Sequence, residues 1–322
     1  MTSFGSGDQP QWQIALRAWG IIKAMNASTR RLVRSRTAAM ALAVALVSLA
    51  ALSAACEAAP ANFGMLALWD QSPSSYEGRV SPGSLVVIGP VEGVQRLDAT
   101  QRANWKAVIR TIRSQGGRVL GYVAMGHGGV TQDQQASFAA VPREIAAYRD
   151  VLDGVDGFFF DQAGPDPMIA GNPDACETAN TRWQAVRAHL SALNVGGTLV
   201  WNAGTSGPNH CFLRSARAGE HVVSVDGPAD GVRASALDAQ TREVADTLQV
   251  KTWALIHSAT PAQMQDALQR TRTHFVYVTD GARTLAWGGP VWNYPPTYWG
   301  TDADPRSERG CLRRVQAGAD CD

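Results

Sequence analysis

No GxGxxG follows the first hydrophobic run, and no GxxxxGKS or GxxxxGKT occurs anywhere in the 322 residues. Nothing in the chain is therefore built to cradle a nucleotide, and no cofactor is expected. No CxxC and no His/Cys cluster has the spacing of a metal site, so no metal is expected either. An excess of charge is also missing. Lys and Arg total 29 against 28 Asp and Glu, a formal net charge of +1, which gives no electrostatic case for nucleic acid. The absence of a GxSxG elbow argues against a Ser/His/Asp hydrolase. What the chain does have is 45% hydrophobic residues, enough for a full buried core.

One long apolar run stands apart. Arg30, Arg31, Arg34 and Arg36 precede Ala38 to Ala55, after which come small residues and Cys56. A basic region, an apolar stretch and small residues at a cleavage point form an export signal. Leu52 to Cys56 resembles a bacterial lipobox, with Ser53 where Leu is usual, so Cys56 is a candidate lipidation site. Plain cleavage near Ala55 or Ala61 is the alternative. Met25 sits where such a signal would begin. An Ala-rich membrane span is disfavoured by its short length and the small insertion energy of alanine. Residues 1–61 are thus read as an upstream extension with a signal or lipoprotein-type peptide. Residues 62–322 form the mature domain, secreted or held at the cell surface through a lipidated Cys56, and are expected to be monomeric. Of the five cysteines, Cys176, Cys211, Cys311 and Cys321 remain. Nearest-loop pairing favours Cys176 with Cys211 and Cys311 with Cys321, the second pair in a carboxyl-terminal tail.

Eight β-rich runs follow in order: Phe63 to Trp69, Ser84 to Ile88, Arg118 to Ala124, Val155 to Asp161, Thr198 to Asn202, His221 to Asp226, Thr252 to His257 and His274 to Thr279. Helical patterns lie between them, among them Ala103 to Gln115, Pro142 to Leu152, Thr181 to Leu193 and Pro261 to Thr271, and no linker intervenes. Alternation of this kind over about 250 residues predicts an α/β fold, a single (β/α)8 TIM barrel, ahead of a doubly wound open sheet.

Barrel sites are assembled at the carboxyl ends of strands, so position on the strand sorts the acids. Asp156 and Glu220 lie at amino-terminal ends and read as structural. Asp161, Asn202, Asp226, His257 and Asp280 lie at carboxyl ends and can converge. If Asp226 points into the barrel, strict alternation sends Val222 and Ser224 with it and leaves Val223 and Val225 facing helices. Two convergent carboxyls suit glycosidic cleavage, one protonating the leaving oxygen and the other attacking the anomeric carbon or activating water. Trp292 and Tyr298, in the aromatic run Trp287 to Trp299, suit a carbohydrate cleft or, equally, closure of the barrel.

Several segments in order, RVLGYVAMGHG, EIAAYRDVLDGVDGFFFDQ, LVWNAGT, VVSVD, and FVYVTDG followed by PPTYW, resemble the spherulin-4 family. That family comprises (β/α)8 proteins and includes hydrolases of α-1,4-linked galactosamine or N-acetylgalactosamine exopolysaccharide. The resemblance implies a polysaccharide partner. Carried over by position, the family's acids fall on Asp161, Gln162 and Asp226; Asp161 and Asp226 are taken as the catalytic pair, and Gln162, Asn202, Tyr122, His257, Asp280, Trp292 and Tyr298 as the sugar-binding candidates. The family's fourth strand characteristically ends in Asp-Glu and its sixth in Glu, so Gln162 and Asp226 depart from the pattern. Gln162 cannot titrate. Asp226 is shorter than Glu by about 1.5 Å. A misplacement of about 1 Å can slow a reaction roughly a hundredfold, which sets a glycan-binding barrel that has lost catalysis as the alternative.

Overall fold

The computed structural model describes residues 62–90, 93–126, 132–164, 175–203, 210–232, 239–281 and 291–321. The expected export signal and Cys56 lie outside the described residues. Eight parallel strands close into a barrel in sequential order. They are β1 (Asn62–Leu66), β2 (Leu85–Ile88), β3 (Arg118–Ala124), β4 (Gly157–Asp161), β5 (Thr198–Asn202), β6 (His221–Pro228), β7 (Lys251–His257) and β8 (Phe275–Val278). The described helices are α1 (Ala99–Ser114), α2 (Gln132–Leu152), α3 (Ala175–Ala192), α4 (His210–Ser215), α5 (Ala239–Thr247), α6 (Pro261–Arg270) and α7 (Glu308–Gln316). Only a 3-10 turn, Pro73–Ser75, is described between β1 and β2.

Local chemistry sets the boundaries. Asp98 caps α1 by accepting from Gln101 N at 2.8 Å while Gln101 Oε1 accepts from Asp98 N at 2.9 Å; Thr260 and Gln263 repeat this capping box on α6. Pro142 is not the start of its helix. It lies inside α2, whose apolar face recurs at Phe138, Val141, Ile145, Tyr148 and Leu152 on both sides of it. Burial of that continuous stripe outweighs the backbone hydrogen bond that proline forgoes.

The strands are covered on both faces. Outside β4, Phe160 stacks on Trp201 at 4.6 Å, and Trp201 stacks on Trp183 of α3 at 4.7 Å. Inside, Phe159 lies between Tyr122 and Trp253, with centroids at 6.3 and 6.0 Å. Trp253 fills the lumen so closely that a Cβ on Gly64 would meet its ring at 2.4 Å. The two acids at amino-terminal strand ends serve the frame, as their position implied. Asp156 accepts from Val119 N at 2.7 Å and pairs with Arg113. Buried Glu220 accepts from Arg187 at 2.7 and 2.6 Å and from the Trp201 indole at 2.9 Å.

Candidate active site

The carboxyl ends of β3, β4, β5 and β6 bring four polar side chains together. Asn202 Nδ2 donates to Asp161 Oδ1 at 2.8 Å and to Asp226 Oδ2 at 2.7 Å. The Tyr122 hydroxyl donates to the other Asp161 oxygen, Oδ2, at 2.7 Å. The two acceptors fix the Asn202 amide, because the reverse orientation would press its carbonyl oxygen against both carboxylates. Laid end to end, the two Asn202 contacts limit the bridged oxygens of Asp161 and Asp226 to a separation of about 5.5 Å. Burial and the adjacent Asp161 charge push the Tyr122 phenol well above its ordinary value, so it remains a donor.

Asp226 reaches this cluster through an irregularity that alternation does not anticipate. Trp201 pairs with Val222 and faces α3, so Val222 faces outward; Asn202 pairs with Val223, so Val223 faces the lumen. This reverses the expected assignment of both valines. The register on β7 then slips, with Val223 opposite Trp253 and Val225 opposite the very next residue, Ala254. Ser224 is the extra residue, and its hydroxyl donates to the Trp253 carbonyl at 3.1 Å. Without that bulge, Asp226 would follow Val222 toward the helices. With it, Asp226 pairs with Leu255 and enters the site.

The other candidates divide by position. Gln162 follows Asp161 in a left-handed conformation, φ 54°, and its carboxamide makes no hydrogen bond among the described residues. His257 lies two residues beyond Leu255, with Nδ1 3.0 Å from Ser258 Oγ and its ring edge-on to Trp292 at 5.8 Å. Trp292 also packs on Tyr277, at 5.9 Å, and so covers the β7–β8 side of the barrel mouth while remaining half-buried. Asp280 accepts from the Thr297 backbone and hydroxyl, which ties down the segment carrying Trp292. The Tyr298 hydroxyl donates to the Ala259 carbonyl at 3.4 Å. Asp280 and Tyr298 thus hold the aromatic segment in place.

A cavity of about 420 Å³ opens at the carboxyl ends of β2 and β3, lined by Tyr122, Ala124, Pro90, Arg96, Arg143 and Glu144 among others. Sequence reasoning passed over the two arginines, which come from a 3-10 turn and from mid-helix and carry no motif. Among the described residues no group of His, Cys, Asp or Glu could hold a metal ion. Cys311 and Cys321 form a disulfide. Cys211 is disulfide-bonded too; the side chain of Cys176, its expected partner, lies outside the described residues.

The sequence pattern of the spherulation-specific family 4 matches residues 61–303. No curated protein matches the chain. Solved structures with a similar barrel include glycoside hydrolases. One is a thermostable, highly halotolerant GH5 cellulase from an Icelandic hot spring isolate, at 8% identity and TM-score 0.48, covering 81% of this chain and 88% of that one. Another is a Thermobaculum terrenum O-GlcNAc hydrolase, at 11% identity and TM-score 0.43, covering 68% of this chain; the chain spans 54% of that protein's length. A GH18 chitinase from Chromobacterium violaceum matches at 12% identity and TM-score 0.38, over 83% of this chain and 86% of that one. Likeness at these values concerns the barrel fold alone.

Proposed function

The chain belongs to the spherulation-specific family 4, and on that footing we propose an exported glycoside hydrolase that cleaves α-1,4-linked galactosamine and N-acetylgalactosamine exopolysaccharide with Asp161 and Asp226. The observation that carries this reading is the single Asn202 amide bridging both carboxylates at the carboxyl end of a closed barrel. A ceiling of about 5.5 Å between the bridged oxygens lies below the roughly 6.5 to 9.5 Å of inverting enzymes and admits the roughly 5 to 5.5 Å of retaining ones, which favours retention. Asp161, with both oxygens accepting from neutral donors, suits the nucleophile. It attacks the anomeric carbon as Asp226 protonates the leaving oxygen. Asp226 then takes a proton from the water that releases the sugar. Gln162, His257 and Trp292 bind sugar around this centre. The protein acts as a monomer, secreted or tethered through lipidated Cys56.

Gln162 supports a second reading, a barrel that binds the glycan without cutting it. The family's acid is missing there, and the carboxamide that replaces it makes no hydrogen bond among the described residues. Incubating the protein with partially deacetylated galactosaminogalactan, beside Asp161→Asn and Asp226→Asn, separates the two. Reducing ends released by the wild type alone support hydrolysis, and bound polymer with no reducing ends supports the second reading. Equal cleavage by all three proteins would rule out the assigned pair.

A further inference from the structure

The cavity beside the carboxylate pair has a wall of opposite charge. Ala124, which lines it, is the cross-strand partner of Asp161, and Tyr122, also in its lining, donates to that same carboxylate. Neighbouring strands lie about 4.8 Å apart, so this cavity begins one strand away from Asp161, with Asp226 two strands further round the barrel. Arg96 and Arg143 line it as exposed side chains, and neither guanidinium makes a hydrogen bond or ion pair among the described residues. Glu144, between them, is held by Val94 N at 3.3 Å and Gln95 Nε2 at 3.1 Å. The cavity wall therefore carries two positive charges against one negative, beside the strand that presents Asp161.

We propose that the cleft sorts hexosamine residues by charge. It places a protonated galactosamine at Asp161 and Asp226 and an uncharged N-acetylgalactosamine over Arg96 and Arg143, so that cleavage falls at junctions between deacetylated and acetylated residues. The proposal rests on the hydrolase reading. An ammonium group over the arginines meets like charge, whereas the N-acetyl group presents a carbonyl that a guanidinium can donate to. Two unit charges about 4 Å apart in a water-like medium repel by an amount equivalent to about fivefold in binding, which sets the order of discrimination each arginine exerts at low salt. Salt weakens it, because both side chains are exposed.

The test uses defined α-1,4 oligomers: fully acetylated, fully deacetylated, mixed, and one containing uronate. Products of the wild type and of an Arg96→Glu/Arg143→Glu double variant are sequenced by mass spectrometry. The wild type is expected to cut mixed oligomers at junctions. The double variant is expected to accept galactosamine on the formerly acetylated side, with a change in preference of at least about fivefold. Binding to the same oligomers is measured by calorimetry with Asp161→Asn, which retains both arginines and should bind N-acetylated oligomers more tightly than deacetylated ones by the same factor. Identical cut sites in wild type and double variant, or tightest binding of the uronate oligomer, would overturn the charge sorting. If the wild type cuts nothing, the hydrolase reading falls, and calorimetry still decides whether the cleft sorts by charge.

Discussion

Replacing Asn202 by Asp exchanges one NH2 group for an oxygen at the point where two carboxylates meet, with almost no change in shape. Both donors that Asn202 supplies, at 2.8 and 2.7 Å, become repulsive contacts, and three carboxyls then share the space of two. At an effective dielectric of about 20, unit charges about 4 Å apart repel by about 4 kcal/mol, so the two new contacts together cost about 8 kcal/mol. The cluster avoids part of this by holding a proton, at about 1.4 kcal/mol for each pH unit above the ordinary carboxylate value near 4. The destabilisation is therefore about 5.5 kcal/mol at pH 8 and about 1.4 kcal/mol at pH 5, holding a proton being the smaller cost at both. The sign follows from linkage. Carboxyls that bind a proton more tightly folded than unfolded are least destabilising below the unfolded value and most destabilising as pH rises. Urea unfolding of wild type and Asn202→Asp from pH 4.5 to 8 reads this directly. A gap between the two proteins that stays constant over that range would show that the three groups are not in contact.

Deleting Ser224 removes the extra residue, so regular alternation from Val223 through Val225 carries Asp226 to the same place opposite Leu255, and polymer binding at the acid pair should survive; a deletion variant that folds but loses that binding would refute the role given to the bulge. Arg187→Ala strands Glu220, which is buried and whose remaining donors are the Trp201 indole and Arg217 N, and should cost about 3 to 5 kcal/mol by chemical denaturation; a loss under about 1 kcal/mol would contradict a buried, coupled pair. Burial holds His221 down at about 3 and His274 at about 4, so both are neutral when folded, whereas unfolded histidine takes up a proton near pH 6.5. Stability should accordingly be complete above about pH 6.5 and fall as pH drops toward 4. A urea midpoint that holds level or rises between pH 6.5 and 5 would refute this.

The barrel was legible because parallel strands covered on both faces leave near-continuous apolar runs, and each of the eight runs contains or overlaps a strand. Asp161 was legible for the same reason, as the acid that ends the Phe158–Phe160 run. The path of Asp226 was not. The stretch VVSVD alternates smoothly in sequence, and only pairing with Trp253 and Ala254 on β7 reveals Ser224 as an extra residue. Nor does sequence distinguish an Asn that touches sugar from one that joins two acids, since Asn202 occupies a carboxyl strand end in either case. Pro142 misplaced the start of α2 because a local signal was weighed above a stripe that began earlier. Arg96 and Arg143 are far apart in sequence and meet only once α2 packs beside the turn after β2.

The central claim is that Asp161 and Asp226 form a retaining pair, and the anomeric configuration of the first product tests it most directly. Proton NMR should follow wild-type protein acting on an α-1,4-linked galactosamine/N-acetylgalactosamine oligomer, recorded before the released sugar mutarotates. The account predicts that the α-anomer appears first and that neither Asp161→Asn nor Asp226→Asn yields it. A β-anomer as the first product, or no product from the wild type, would contradict it.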